Sequence, residues 1–377
     1  MKVMIEVTHL LGTGHLARAL TLARGYLAAG DDVLVVSGGM PAPMLARGDV
    51  ALEQLPPLRS DGVDFTRLLA DAGVEASGAY LAARREALLA ALSRFNPDVL
   101  ITELFPFGRR VLREEFTALL EAARNSAHPP LVCASIRDIL APPSKPKKAI
   151  YADDVVARYY DAVLVHSDAA LMPLELSWPV SDALRPMLHY TGFVAPAPAT
   201  PHPERAGMGE VLVSAGGGDV GNHVYEAALA AAPSVQYPLR LLVGGANAAD
   251  RVARLRKHAP DNVKVESARP DFRQMLHHAA ASVSLCGYNT ALDILQAATP
   301  AVFIPFDEGS EVEQGLRARA LATQSGIAVL PRTDLSTQRL GQILEEVIAA
   351  PKRGKATTGF DGAARTVAIT RSLRDAK

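Results

Sequence analysis

Cysteine is scarce in this chain. Only Cys133 and Cys286 occur among 377 residues, too few for a disulfide framework or a cysteine-based zinc site. Net charge is also scarce: 39 Lys and Arg oppose 40 Asp and Glu, a formal −1 at pH 7. Non-specific nucleic-acid binding needs a basic surface, so no nucleic-acid partner is expected. Long apolar runs are missing, which excludes a transmembrane helix. The opening MKVMIEVTHL lacks the basic, apolar and small-residue sections of a secretory signal. The expected compartment is the cytoplasm, with peripheral membrane contact left open. No low-complexity segment is visible, and no histidine–carboxylate spacing suggests a metal site.

What is present is an ordinary globular composition, 49% hydrophobic and 21% charged. A single core rarely grows to this length, so two domains are expected. Strand and helix patterns alternate throughout. Apolar strands are read at MKVMIEV, DDVLVVSGG, DVLITEL (98–104), PLVCASI (130–136) and AVLVHS (162–167). Continuous apolar strands with helices between them indicate a parallel sheet buried on both faces. The Pro-rich stretch 194–207 cannot join a sheet interior and reads as a linker. After it the alternation restarts with EVLVSAGGG, LRLLVGG, NVKVES, ASVSLCG, PAVFIPF and GIAVL. The expected fold class is therefore α/β, with two Rossmann-like, doubly wound parallel-sheet domains facing across a cleft. The expected domains are 1–193, then the linker 194–207, then 208–350. A tail, 351–377, would end in one helix, packing back on the first domain.

Three glycine-bearing junctions carry the functional reading, because ligands of open α/β sheets gather at the carboxyl ends of strands. The first runs Gly12-Thr13-Gly14-His15-Leu16-Ala17. It fits the dinucleotide fingerprint G-x-G-x-x-A. That reading also needs an acidic residue ending the second strand, and that strand ends Val35-Val36-Ser37-Gly38-Gly39 instead. The alternative is a glycine turn that lets a ligand approach the helix start, with His15 acting as a base or a phosphate donor. A capping histidine without chemistry is the bland option.

The second junction is Ser214-Ala215-Gly216-Gly217-Gly218-Asp219 and the third is Gly287-Tyr288-Asn289-Thr290. Each follows a strand and precedes a helix, a place where a diphosphate can rest on backbone N–H groups. Asp293 is read in the first turn of the helix after the third junction, within reach of ribose hydroxyls. Glu311, Glu313 and Gln314 open a further helix, with acceptors suited to sugar hydroxyls. In the first half, Glu103 ends a strand. Arg109 and Arg110 follow at a helix start, where cations oppose the dipole. Arg137 and Asp138 end the next strand. These are candidate acceptor contacts, or a structural Arg–carboxylate pair joining two loops. His166 is placed near the same strand ends, and His277 and His278 in mid-helix.

The arrangement resembles the GT-B glycosyltransferases, in particular the MurG-like family that transfers N-acetylglucosamine from a UDP-sugar. Thr13-Gly14-His15 resembles that family's first glycine-rich loop, with one glycine fewer. Ser214-Ala215-Gly216-Gly217 resembles the first loop of its C-terminal domain. Gly287 to Ile294 occupies the place of its donor-binding helix, with Asp293 where the family carries a ribose-binding glutamate. Glu313-Gln314 resembles its sugar-binding pair. TELFPFGRR (102–110) and SIRDIL (135–140) look closer to a group of predicted bacterial glycosyltransferases, and no hydrophobic patch for a lipid-linked acceptor is evident in the first half.

The resemblance implies a UDP-sugar donor on Gly14, Ser214, Gly216, Gly217, Gly218, Gly287, Tyr288, Asn289, Thr290, Asp293, Glu313 and Gln314. It implies a small-molecule or lipid-linked acceptor near Arg109, Arg137 and Asp138, with His15 or Glu103 as base. It implies no cofactor and no metal. A nucleotide-sugar hydrolase or epimerase on the same fold is the runner-up.

Overall fold

A computed structural model describes all residues except 61–66, 72, 217–220, 246, 308–310 and 355–358. It divides into two compact units, one of Met1–Pro196 with Gly359–Lys377, the other of Ala197–Thr358.

The first unit runs β1 (Lys2–Val7), α1 (Gly14–Ala28), β2 (Asp32–Gly39), β3 (Ala51–Ser60), β4 (Leu68–Leu69), α2 (Gly78–Phe95), β5 (Val99–Glu103), α3 (Arg113–Arg124), β6 (Leu131–Arg137), α4 (Pro146–Tyr159), β7 (Ala162–His166) and β8 (Leu188–Tyr190). Local chemistry sets several boundaries. The Ser77 hydroxyl caps α2 by accepting from the Tyr80 N–H at 3.2 Å, and Asn96 stops it in a left-handed conformation. Proline at the first position starts α4. The strands order as β4-β3-β2-β1-β5-β6-β7-β8, parallel throughout apart from the β3–β4 pair. Strand order reverses between β1 and β5, which makes their carboxyl ends the switch point.

Period-two alternation divides β1 between two cores. Val3, Ile5 and Val7 face α1, whereas Met4 joins the cluster with α2 and α3. Glu6 follows Met4 on that second face and is fully buried. The Thr8 hydroxyl donates to its Oε1 at 2.7 Å. Burial and the nearby Glu115 push its carboxyl up to about 8, against the pull of Thr8, Arg84 and Arg109. The sign follows directly. An acid whose pKa rises on folding carries a penalty that is absent below its unfolded value, near 4.5, and grows as pH climbs towards 8. Glu6→Gln cannot ionise, so it should outlast the parent by roughly 2–3 kcal/mol at pH 7 and match it below pH 4.5. Urea melts at pH 4.5 and 7.5 check this; an equal gap at both would contradict it.

The second unit runs β9 (Val211–Ser214), α5 (Asn222–Ala231), β10 (Leu239–Val243), α6 (Ala248–Arg256), β11 (Val263–Ser267), α7 (Phe272–Met275), β12 (Ala281–Ser284), α8 (Tyr288–Ala297), β13 (Ala301–Phe303), α9 (Glu313–Leu321), β14 (Ile327–Val329) and α10 (Thr337–Ala349). Its six parallel strands order as β11-β10-β9-β12-β13-β14, with the reversal between β9 and β12. Val211, Val213, Leu241, Val283 and Val302 fill its core.

Of the Pro-rich stretch 194–207, residues 197–207 group with the second unit. His202 Nε2 lies 3.0 Å from Asp271 Oδ2. His277 and His278 follow α7 rather than sitting within a helix, and their rings contact the carbonyls of Ala199 and His202. The last helix, α11 (Gly362–Asp375), belongs to the first unit and packs on α1. There the Tyr26 hydroxyl bonds Thr370 at 2.9 Å, and Arg371 pairs with Asp31 at 3.0 Å.

Candidate active site

Two loops meet at the switch point of the first sheet. One leaves β1 and enters α1 at Gly14; the other leaves β5 after Glu103. Gly12 takes φ +64°, a conformation that a side chain would strain. His15 sits in the first turn of α1, and its Nδ1 lies 2.8 Å from Glu103 Oε1. Arg18, one turn further along, forms an ion pair with the same carboxylate oxygen; its Nη2 lies 3.1 Å from His15 Nδ1, two donors brought side by side by the Oε1 they share. The Ser135 hydroxyl donates to Glu103 Oε2 at 2.6 Å.

Burial alone would push the Glu103 carboxyl up, but Arg18, His15 and Ser135 together hold it well below the usual carboxylate range. Glu103 is therefore an anion at neutral pH. Burial pushes His15 down to about 3, with Arg18 adding to the effect and Glu103 opposing it. His15 is therefore neutral, with one N–H. Glu103 is acceptor-only, so that N–H is on Nδ1 and the lone pair is on Nε2. Only 14% of the His15 side chain is exposed.

Past Glu103 the backbone turns through two non-glycine residues at positive φ, Leu104 (71°) and Arg109 (56°). Such strain costs about 1 kcal/mol or more per residue and gathers at functional sites. The Arg109 Nε donates to the Thr8 carbonyl at 2.6 Å, joining the two loops. Arg109, Arg110, Arg113 and Lys148, together with one carboxylate, Glu114, line a cavity of about 560 Å³. Among the described residues no carboxylate lies within ion-pair distance of Arg110, Arg113 or Lys148. Val111 at its edge is exposed, as are Leu11 and Ile150 of the same unit.

In the second unit the switch point lies between β9 and β12. After β9 the chain turns through Gly216 at φ +76°, and its N–H is bonded to Ser214 Oγ at 3.2 Å. After β12, Gly287 caps α8 with no side-chain hydrogen bond and no acidic residue in the first turn. A Cβ at either Gly216 or Gly287 would meet no atom of the described residues within 4 Å. Both features suit an anion resting on main-chain N–H groups. Arg317, buried, donates to the Cys286 carbonyl at 2.9 Å and lies over the Tyr288 ring.

Comparison with known proteins sharpens this. Residues 214–366 match the glycosyltransferase family 28 C-terminal domain, and residues 13–178 match the glycosyl transferase 4-like domain. The chain thus carries two glycosyltransferase domains and has the GT-B fold. It is 30% identical over 99 residues to the UDP-N-acetylglucosamine–N-acetylmuramyl-(pentapeptide) pyrophosphoryl-undecaprenol N-acetylglucosamine transferase of Sinorhizobium medicae, covering 24% of this chain and 26% of that protein. It is 32% identical over 71 residues to the enzyme of the same name from Brucella canis, 19% of each chain. The matched segments thus span about a quarter or less of these relatives. MurG of Acinetobacter baumannii has the same fold, with TM-score 0.62 at 16% identity over 100% of this chain and 98% of that one. The calicheamicin glycosyltransferase CalG4 matches with TM-score 0.60 at 16% identity, over 99% and 94%.

In this glycosyltransferase the structure brings together His15, Glu103 and Arg109, and it places Gly14 at the start of α1. Arg137 ends β6, and Asp138 beside it is fully buried. Gly217 and Gly218 lie outside the described residues. Asp293 falls in the second turn of α8 rather than the first, and its Oδ1 accepts from Arg273 Nε at 2.7 Å. Burial pushes the Asp293 carboxyl up, against the pull of Arg273. Asn289 and Thr290 lie in the first turn of α8. Glu313 opens α9, with its N–H bonded to Glu311 Oε1 at 2.8 Å. Gln314 Oε1 accepts from the Phe306 N–H at 3.2 Å. His166 is fully buried rather than open to a ligand. Sequence reasoning missed Arg18, Ser135, Arg273 and Arg317. The i, i+3 spacing of His15 and Arg18 was the available signal for the first, since that spacing shares a helix face.

No helix among the described residues is long and apolar enough to cross a membrane.

Proposed function

We propose that this protein transfers a sugar from a nucleoside-diphosphate sugar, a UDP-sugar first among them, to an acceptor hydroxyl. The observation that carries the reading is the His15–Glu103 pair at the switch point of the first sheet. His15 Nε2 takes the acceptor proton as the acceptor oxygen bonds to the sugar's anomeric carbon. The bond from that carbon to the diphosphate breaks, and its electron pair leaves on the diphosphate. Glu103, already fixed on Nδ1–H, steadies the imidazolium that forms. Donors at the start of α8 and in the turn after β9 take up the charge of the departing diphosphate.

The finer assignments follow the same logic. Ser214, Gly216 and Gly287 to Thr290 hold the diphosphate. The second carboxylate oxygen of Asp293 meets the ribose, and Glu313 and Gln314 face the sugar. The unpaired cations around the 560 Å³ cavity suit an acceptor that bears an acidic or phosphoryl group. The matched relatives from Sinorhizobium and Brucella act, by name, on a pyrophosphoryl-lipid acceptor with a UDP-sugar, and the glycosyltransferase VinC was solved with dTDP.

A thermal-shift screen over UDP-, dTDP-, GDP- and ADP-sugars tests the donor. A ligand at a hundred times its Kd adds about 2.7 kcal/mol, which is several degrees for a unit of this size. One nucleotide class should produce that shift. Release of free nucleotide should then require an acceptor. No shift with any sugar nucleotide, or stoichiometric hydrolysis without acceptor, would overturn the reading.

A further inference from the structure

Behind the His15–Glu103 pair a row of polar groups crosses the sheet. Glu103 ends β5 and stands in register with Ser135 of β6. His166 ends β7, in register with Arg137, two residues past Ser135 on the same face. Thr191 follows β8, and its N–H is bonded to the Val165 carbonyl at 3.0 Å. Four successive strand ends thus each contribute one polar side chain. All four are at most 2% exposed.

The distances link them. Ser135 Oγ lies 2.6 Å from Glu103 Oε2 and 3.0 Å from His166 Nε2. His166 Nδ1 lies 2.8 Å from Thr191 Oγ1. Counting protons fixes the direction. Glu103 is an anion and only accepts, so Ser135 spends its single proton on Glu103. Ser135 Oγ must then accept, and the donor is His166 Nε2–H. Burial, aided by Arg18, pushes His166 down to about 3 despite Glu103, so the ring is neutral and holds one proton. Nδ1 therefore carries the lone pair, and the Thr191 hydroxyl shares its single proton between Nδ1 and the Gly192 carbonyl, each 2.8 Å away. The reverse direction would set the lone pairs of Ser135 and Glu103 against each other, with nothing between them, in a dry interior.

We propose that His166, acting through Ser135, is a positioning residue: its Nε2–H orients the Ser135 hydroxyl so that Glu103 stays anionic and aimed at His15 Nδ1. This rests on the reading of His15 as the base. The groups facing Glu103 are the neutral His15 and the cation Arg18 from α1 and the cation Arg109 from the turn after β5; Ser135 and His166 supply its other, neutral side. Without the Ser135 donor, the Glu103 carboxylate is free to rotate towards Arg18. His15 then loses the partner that fixes its tautomer.

The test uses the full-length protein with 15N-labelled histidine. Two-bond nitrogen–proton spectra should show His166 as the Nε2–H tautomer and His15 as the Nδ1–H tautomer at pH 7. Ser135→Ala and His166→Leu should each shift the His15 Nδ1 signal and lower kcat roughly tenfold, with KM for the nucleotide sugar unchanged. His166→Gln, which returns an N–H near the Nε2 position, should restore kcat to within about twofold of the parent. An Nδ1–H tautomer at His166 would overturn the proposal. So would an unmoved His15 signal in Ser135→Ala, which removes one buried oxygen and should fold even where His166→Leu does not. His15→Asn separates this from the underlying reading. If that change abolishes turnover while Ser135→Ala and His166→Leu do not touch it, only the positioning role fails. If His15→Asn leaves turnover intact, the base assignment itself fails.

Discussion

Replacing Arg84 by leucine should destabilise the first unit by about 3–5 kcal/mol, the range for breaking a buried ion pair from one side. Arg84 is fully buried on α2, yet every donor nitrogen of its guanidinium is used. Nε donates to Glu115 Oε2 at 2.7 Å. Nη1 donates to the carbonyls of Gly38 at 2.6 Å and Pro56 at 2.7 Å. Nη2 donates to Thr8 Oγ1 at 2.7 Å and Glu115 Oε1 at 3.1 Å. One side chain thus ties α2, α3 and the carboxyl ends of β1, β2 and β3. Leucine would strand Glu115 beside the buried Glu6 with no cation between them. It would also leave two carbonyls without their donor. The double change Arg84→Leu with Glu115→Leu removes both charges and should recover a large part of the loss, because the desolvation of the carboxylate disappears with it. Urea unfolding followed by a probe in the first unit measures both, since a two-unit chain need not unfold in one step. Equal losses for the single and double variants would show that the carbonyl contacts, not the charge pair, dominate.

That network also shows why some of the molecule was legible in the sequence and some was not. Strand and helix alternation, and the restart after the Pro-rich stretch, follow from hydrophobic period and turn residues. Both are local, and both sheets form where those signals stand. Glu103 was readable because a carboxylate ending an apolar strand is an anomaly. Arg84 and Arg18 lie within helices, where a buried cation cannot be told from a solvated one by spacing alone. Their burial depends on which strands become neighbours, and the order β2-β1-β5 is a long-range fact. Asp293 was misplaced by one turn for a smaller reason. α8 starts at Tyr288, so the sixth helical residue lies past the first turn. Its partner Arg273 comes from α7, twenty positions earlier, and no spacing rule joins the two. His166 was visible as a polar residue at a strand end, whereas Ser135, inside an apolar strand, was not singled out. Their connection needed the register of three adjacent strands.

Exchanging His15 for asparagine should lower kcat by about 10²–10⁴, the usual contribution of a positioned base, while nucleotide-sugar affinity holds within a few-fold. Isothermal titration and initial rates measure the two separately. The expectation rests on where the proton goes. At neutral pH the imidazole is uncharged, because burial pushes its pKa down to about 3, so the Nε2 lone pair is present across the whole working range. Turnover should therefore not decline between pH 8 and pH 5, as it would for an exposed histidine titrating near 6.5. The same burial makes His15 a reluctant proton acceptor in the resting protein, and Glu103 is what offsets this as the imidazolium forms. Glu103→Gln should consequently cost nearly as much in kcat as His15→Asn. The amide oxygen can meet either the His15 and Arg18 donors that now share Oε1 or the Ser135 hydroxyl on Oε2, and its NH2 opposes whichever is left. The double variant should be little worse than either single change, because residues that act as one unit do not contribute independently. Fully additive losses would mean that His15 and Glu103 serve separate steps, with the carboxylate meeting the acceptor on its own account.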